Sequence, residues 1–227
     1  MLLEDQPFVP KYFGHDVLLN RQGARGFEDS IRAVPHLPPG AALDPGVLII
    51  DTRPAAKFRA GHLPAAINLQ DGGKFETWLG SIVGPAEKFY LLADSQIALD
   101  AVIRKTAKIG YEANIQAALL APADAPATSP APPTAAAVRQ HPEAYTILDI
   151  RNRAEAGTPV FAQALLIPLP ELRERTHEIP TDKPVLVHCA GGYRSAAGAS
   201  IVQAALPGVQ VLDLGEAVTT FLAGAAH

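Results

Sequence analysis

The sequence predicts an α/β protein of two similar units in tandem, each a small parallel sheet with helices on both faces. Short apolar strands alternate with helical segments along the 227 residues, a pattern typical of parallel sheets joined by helices. Ile49-Ile50-Asp51-Thr52-Arg53 in the first half is matched by Ile147-Leu148-Asp149-Ile150-Arg151, 98 positions later. Self-similarity of this kind indicates an internal duplication. Between the halves, residues 121–131 are rich in Ala, Pro, Ser and Thr, which is typical of a linker.

The first unit is predicted over residues 25–123, after an N-terminal extension or fusion junction over residues 1–24. Its apolar runs predict strands at 47–50, 88–93 and 114–120, with a further short strand near 67–69. Helices are predicted at 26–34 and 55–60, and from about residue 97 to residue 109. Gly110 follows the last of these as a C-terminal cap.

The second unit is predicted over residues 124–227 and repeats this order. Thr134 is expected to cap a short helix that ends near Arg139. The predicted strands lie at 145–151, 165–169, 185–187 and 209–212. The predicted helices lie at 170–175, 194–205 and 215–222, the first of them entered by proline.

Composition argues against several classes of function. A formal charge of −4 gives no general attraction for nucleic acid or an anionic membrane. A single cysteine cannot form an internal disulfide, and no apolar stretch approaches the ~20 residues that span a bilayer. The N-terminus lacks the pattern of a signal peptide, so the prediction is a cytoplasmic protein without nucleic-acid or membrane partners. The seven histidines are scattered without ligand spacing, so neither a metal nor another cofactor is predicted.

The chemistry is predicted at Cys189, which follows the apolar strand 185–187. A lone cysteine is often only a small buried apolar residue. Here a glycine-rich loop, an arginine and a helix start follow it directly, in the order Ala190, Gly191, Gly192, Tyr193, Arg194 and Ser195. Inward-turned loop N–H groups and the helix N-terminus would stabilise a thiolate at this place. Cys189 is therefore the predicted nucleophile, and Arg194 is predicted to attract an anionic donor.

Two motifs resemble the rhodanese (sulfurtransferase) family. Cys189-Ala190-Gly191-Gly192-Tyr193-Arg194 is similar to its active-site loop, Cys-x-x-Gly-x-Arg leading into a helix. Gly61-His62-Leu63-Pro64-Ala65-Ala66 resembles its Gly-His-Ile-Pro-Gly-Ala signature, which follows an Asp-x-Arg strand. The segment 6–20 also resembles the junction of bacterial fusions between a metallo-β-lactamase-fold persulfide dioxygenase and rhodanese domains. The resemblance thus implies two tandem rhodanese-like domains, with a persulfide dioxygenase, fused or separate, as a candidate partner.

The resemblance implies sulfur transfer from thiosulfate or a low-molecular-weight persulfide, through a Cys189 persulfide, to a thiol or to cyanide. The loop N–H groups would bind the transferred sulfur; they belong to Ala190, Gly191, Gly192, Tyr193 and Ser195. Asp149 and Arg151 are expected to support the site, by pairing with each other or bracing the loop.

Two positions depart from the family pattern. In the first unit Asp94 takes the place of the nucleophile, so that unit is predicted to be inactive, with Asp94 acting as a helix N-cap. In the second unit Val160 stands where the signature has histidine, a change that leaves the cysteine loop intact.

Two other hypotheses remain open. Related cysteine loops serve phosphatases and arsenate reductases, but those have five residues between cysteine and arginine, whereas four intervene here. The smaller loop suits one sulfur atom better than a tetrahedral oxyanion. A non-catalytic binding or sulfur-carrier module is the third hypothesis. The missing nucleophile supports it for the first unit only, and the intact Cys189 loop argues against it for the whole chain. His188 is not predicted to act as a base, since neighbouring residues of a strand point to opposite faces.

Overall fold

The computed structural model describes residues 26–222, which form two compact units over residues 26–128 and 129–222. The predicted N-terminal extension, residues 1–24, lies outside the described residues. The division between the units falls five residues beyond the predicted boundary, within the predicted linker segment 121–131. No helix within residues 26–222 is long and apolar enough to cross a membrane.

The first unit is built on a four-stranded parallel sheet in the order β2-β1-β3-β4. Its strands are β1 (Leu48–Asp51), β2 (Ile67–Asn68), β3 (Phe89–Ala93) and β4 (Ile115–Leu120). Its helices are α1 (Phe27–Arg32), α2 (Ala55–Ala60), α3 (Phe75–Ile82) and α4 (Gln96–Ala107). Every residue of β3 is buried, as expected for a central strand of a parallel sheet covered on both faces.

The second unit repeats this architecture, with a four-stranded parallel sheet in the order β6-β5-β7-β8. Its strands are β5 (Thr146–Asp149), β6 (Leu165–Leu166), β7 (Val185–His188) and β8 (Val211–Asp213). Its helices are α5 (Ala135–Gln140), α6 (Leu169–Arg175), α7 (Tyr193–Ala205) and α8 (Thr219–Leu222). Identical strand orders in the two halves confirm the predicted tandem α/β fold.

Small side chains allow helix α7 to lie directly against the central strands of the second sheet. Eight of its residues are buried, most of them Ala, Gly or Ser. A Cβ added at Gly198 would lie 2.7 Å from Cδ1 of Ile150 and 3.2 Å from Cγ1 of Val187. The opposite face of the sheet is covered by Val138 of α5 and by Phe161. The close fit of α7 fixes the position of its N-terminus relative to the end of β7.

The structure corrects two expectations in the first unit. Helix α3 was not expected from the sequence, yet six of its eight residues are buried. Asp94 is not the N-cap of the helix that follows it. The cap is Ser95, whose side chain accepts a hydrogen bond from the backbone N–H of Ala98 at 3.3 Å. Asp94 instead forms an ion pair with Lys57.

Candidate active site

Cys189 lies directly beyond the carboxyl end of β7, the edge of a parallel sheet where ligand sites form. Its side chain is buried, with only 1% of the residue exposed. The backbone N–H of Gly192 donates a hydrogen bond to its Sγ over 3.2 Å. The loop therefore holds the sulfur with a main-chain donor at the point where helix α7 begins.

Gly192 sits at a position that only glycine fits. It is the N-cap of α7 and has a φ of +90°, in the left-handed region that L side chains rarely adopt. A Cβ there would also lie 2.7 Å from both the backbone N of Glu216 and the backbone C of Gly215. One turn into the helix, Ser195 Oγ donates to the Gly192 carbonyl at 3.0 Å. These contacts fix the direction in which the Gly192 N–H points.

Arg194 is held by Glu155, a residue that the sequence analysis did not single out. Two guanidinium nitrogens donate to the two carboxylate oxygens of Glu155, each at 2.6 Å. Arg194 also forms a hydrogen bond with the Cys189 side chain. Burial by itself would lower the pKa of Arg194, but its hydrogen bonds to Glu155 and Cys189 raise it instead. The same Arg194 hydrogen bonds lower the pKa of Glu155, against the opposing effect of its partial burial.

Asp149 and Arg151 pair with each other, as the sequence predicts. Arg151 donates through Nε and a terminal nitrogen to both carboxylate oxygens of Asp149, at 2.6 to 3.0 Å. Its guanidinium also donates to the carbonyls of Glu155, at 3.0 Å, and Thr158, at 3.2 Å. The buried pair thereby anchors the loop that carries Glu155, and through Glu155 it supports Arg194.

His188 precedes Cys189 but does not contact its sulfur. Its Nδ1 lies 3.3 Å from the Cys189 carbonyl oxygen, and its ring meets Phe161 edge-on at 5.2 Å between centroids. Its buried Nε2 has no hydrogen-bond partner and lies 3.9 Å from Oδ2 of Asp149. Burial lowers the pKa of His188, against the opposing effect of the Asp149 charge. His188 is therefore a buried core residue rather than a base for the thiol.

The first unit preserves the frame of this site without its nucleophile. Arg53 makes the same two-pronged contact with Asp51, at 2.6 to 3.1 Å. In the two sheets Asp51 lies opposite Leu92 and Asp149 lies opposite His188. The structural counterpart of Cys189 is thus Ala93, one residue before the predicted Asp94. Neither side chain can carry sulfur, so the first unit has no nucleophile at this place.

The histidine of the first-unit signature has a structural explanation. His62 is buried, stacks on Phe58 with 3.9 Å between ring centroids, and contacts the Phe58 carbonyl through Nδ1 at 2.9 Å. At the corresponding place in the second unit Val160 packs against the apolar core. Because a packing side chain replaces another packing side chain, this departure does not alter the cysteine loop.

The predicted site residues form two connected groups, the cysteine loop with the start of its helix and the Asp149–Arg151 pair. Four lie in contact through the cysteine loop and the start of its helix, namely Cys189, Gly192, Arg194 and Ser195. The backbones of Ala190, Gly191 and Tyr193 complete the loop, with Gly191 exposed and the other two half-buried. Asp149 and Arg151 join this group through Glu155.

Comparison with known protein families agrees with this geometry. The model of the rhodanese-like domain matches residues 41–116 and again residues 134–217, together more than half of the chain. The chain belongs to the rhodanese-like domain family. Each match falls within one of the two structural units, so both units are rhodanese-like domains. None of the curated proteins that were compared matches the chain.

Several solved structures resemble parts of the chain. A rhodanese-related protein from Thermoplasma volcanium is 26% identical over 42% of this chain and 93% of its own, with a TM-score of 0.36. A thiosulfate sulfurtransferase from Pseudomonas aeruginosa is 18% identical over 88% of this chain and 41% of its own, with a TM-score of 0.38. A metallo-beta-lactamase from Staphylococcus aureus is 20% identical over 53% of this chain and 33% of its own, with a TM-score of 0.42. The last two matches span less than half of the respective proteins.

Proposed function

We propose that the protein is a sulfurtransferase of the rhodanese type, which carries sulfane sulfur on Cys189. The observation that carries the proposal is the hydrogen bond from the Gly192 N–H to Cys189 Sγ, in a loop that begins a helix and contains Arg194. A main-chain donor aimed at Sγ stabilises the negative charge of the Cys189 thiolate, and neighbouring loop N–H groups can do the same for the outer sulfur of the persulfide that replaces it.

With thiosulfate as donor, the Cys189 thiolate attacks the outer, sulfane sulfur. A sulfur–sulfur bond forms to Cys189 while the bond to the sulfonate sulfur breaks, and sulfite departs with the electron pair. With an organic persulfide, the same attack on the outer sulfur releases the organic thiolate. A thiol or cyanide then attacks the outer sulfur of the Cys189 persulfide and restores the Cys189 thiolate. Both half-reactions balance without metal or redox cofactor.

The residues around the loop have separate proposed roles. Gly192 and the neighbouring N–H groups of residues 190–195 hold the charge of the outer sulfur. Arg194 interacts with the sulfur directly, and Asp149 and Arg151 support it by anchoring the Glu155 loop. We further propose that the donor and acceptor are small molecules in the cytoplasm, and that a persulfide dioxygenase, fused or separate, is a functional partner.

Turnover assays with the purified protein test this function. Sulfur transfer to cyanide, measured as thiocyanate, is followed with thiosulfate and with glutathione persulfide as donors, for the wild type and for Cys189→Ser. We expect turnover with at least one donor and none with the variant, which retains a similar size but lacks the nucleophilic sulfur. Absence of turnover with both donors would favour the binding-module hypothesis. Hydrolysis of a phosphate ester that depends on Cys189 would favour the phosphatase hypothesis instead.

A further inference from the structure

The Glu155 carboxylate occupies the charged face of the only arginine in the cysteine loop. Both of its oxygens bind Arg194 at 2.6 Å, and Oε2 also accepts the backbone N–H of Asn152 at 3.1 Å. Arg194 is nearly covered, with 11% of its side chain exposed, whereas 38% of the Glu155 side chain is exposed. The pair therefore lies at the solvent-facing opening of the cysteine loop, which we call the loop mouth, and Glu155 is its more exposed member.

The charges around the thiol consequently do not form an attractive field for a small dianion. Glu155 offsets the charge of Arg194, and Asp149 offsets the charge of Arg151. The Cys189 thiolate then adds one further negative charge to these two neutral pairs. Because the Glu155 side chain is more exposed than that of Arg194, we expect an approaching anion to meet the carboxylate before the guanidinium.

Sulfur donors differ in where they carry their charge. In thiosulfate the sulfonate is bonded directly to the sulfur that is transferred, so its charge must enter the loop mouth. In an organic persulfide a carbon-bound sulfur takes that place, and any carboxylates lie several bonds away. We propose that Glu155 is a specificity-determining residue, which disfavours thiosulfate and favours organic persulfides as the donor to Cys189. This inference rests on the proposed sulfur transfer and deepens it.

The decisive experiment measures kcat/KM for thiosulfate and for glutathione persulfide in the wild type and in Glu155→Gln. Glutamine keeps the size of the side chain and can accept from Arg194, but it removes the charge. We expect the ratio of thiosulfate to persulfide kcat/KM to rise roughly five- to tenfold, the size of a screened interaction between one charge and a dianion a few ångströms away. Added salt should raise the thiosulfate rate of the wild type, and should do so less in the variant, because salt screens this repulsion.

Glu178→Gln is the matched control. Glu178 forms a two-pronged pair with Arg175, at 2.6 and 2.7 Å, on the same unit but away from the cysteine loop. Its removal changes the net charge equally, and we expect it to leave the donor ratio unchanged.

The outcomes separate this inference from the proposed function. If Glu155→Gln lowers both donor rates by the same factor, Glu155 only positions Arg194 and the specificity role is refuted. An unchanged donor ratio, or an equal change in Glu178→Gln, would refute it as well. If the wild type transfers sulfur from neither donor, the proposed function itself fails.

Discussion

Replacing Gly192 with alanine tests how strictly the backbone of the cysteine loop is fixed. An L residue in the left-handed region costs ~1–2 kcal/mol. The new Cβ would also lie 2.7 Å from backbone atoms of Gly215 and Glu216, which cannot move aside as a flexible side chain can. Overpacking of this kind costs a further ~1–3 kcal/mol, so we expect Gly192→Ala to lower the free energy of unfolding by about 2–5 kcal/mol.

Chemical denaturation followed by circular dichroism measures this loss. Tryptophan fluorescence reports on the first unit separately, because Trp78 of α3 is the only tryptophan in the sequence. Hydrogen–deuterium exchange of peptides from β7 and α7 should show faster exchange in the variant, while peptides from the first sheet should not change.

Gly191→Ala is the control within the same loop. Gly191 is exposed, its φ is not positive, and a Cβ there meets no atom within 4 Å. We expect its stability to stay within about 0.5 kcal/mol of the wild type. If Gly192→Ala were as stable as Gly191→Ala, the close approach of the loop to the Gly215 backbone would be refuted.

Three further predictions concern the surroundings of the loop. Gly198→Ala should lower the free energy of unfolding by ~1–3 kcal/mol in denaturation experiments, because its Cβ would overlap the buried side chains of Ile150 and Val187. A gain in stability, as at an open helix position, would contradict the packing of α7. Asp149→Asn should cost ~3–5 kcal/mol, since it leaves the buried Arg151 charge without its partner, and a loss below ~1 kcal/mol would contradict the anchoring role. Burial lowers the pKa of His188, so the unfolded chain binds its proton first as the pH falls below ~6.5. The contribution of His188 to stability is therefore complete above ~pH 6.5 and is lost below it; His188→Leu should reduce the fall in the denaturation midpoint between about pH 7.5 and about pH 5.5, whereas the exposed His141→Gln should not.

Helix caps and apolar patterns in the sequence predicted those helices whose start depends on neighbouring residues in the chain. Thr134 caps α5 as expected, with its Oγ1 accepting from the Ala137 N–H at 3.2 Å. Helix α3 has the i, i+3, i+4, i+7 apolar spacing of an amphipathic helix, at Phe75, Trp78, Leu79 and Ile82, but its eight residues show that pattern only once, and it was overlooked. Its first turn also lacks a side-chain cap, which removes the second common signal of a helix start.

Counting residues between repeats misplaced the counterpart of Cys189 by one position. From Asp51 to its partner Leu92 the chain advances 41 residues, and from Asp149 to His188 it advances 39. The sequence alone does not say how many of the extra residues precede the central strand and how many follow it. Only the hydrogen-bonded register of the sheet assigns Ala93 to the position of Cys189.

Glu155 was missed because its importance depends on a contact across 39 residues. It lies in a short 3₁₀ turn, Glu155–Gly157, with no periodicity to mark it. The repeat offered one signal. Glu155 lies six residues after Asp149, just as Lys57 lies six residues after Asp51, so both units carry a charged residue at this position. In the first unit Lys57 pairs with Asp94. Both units thus place an ion pair beside the carboxyl end of the central strand. In the first unit the cation comes first in the sequence, and in the second unit the anion comes first.

The central claim, that Cys189 carries transferred sulfur, is tested most directly by intact-protein mass spectrometry. The wild type and Cys189→Ser are each incubated with thiosulfate and, separately, with glutathione persulfide, then with cyanide. We expect a mass gain of one sulfur atom on the wild type, its removal by cyanide, and no gain on the variant. No gain with either donor, or an equal gain on Cys189→Ser, would contradict it.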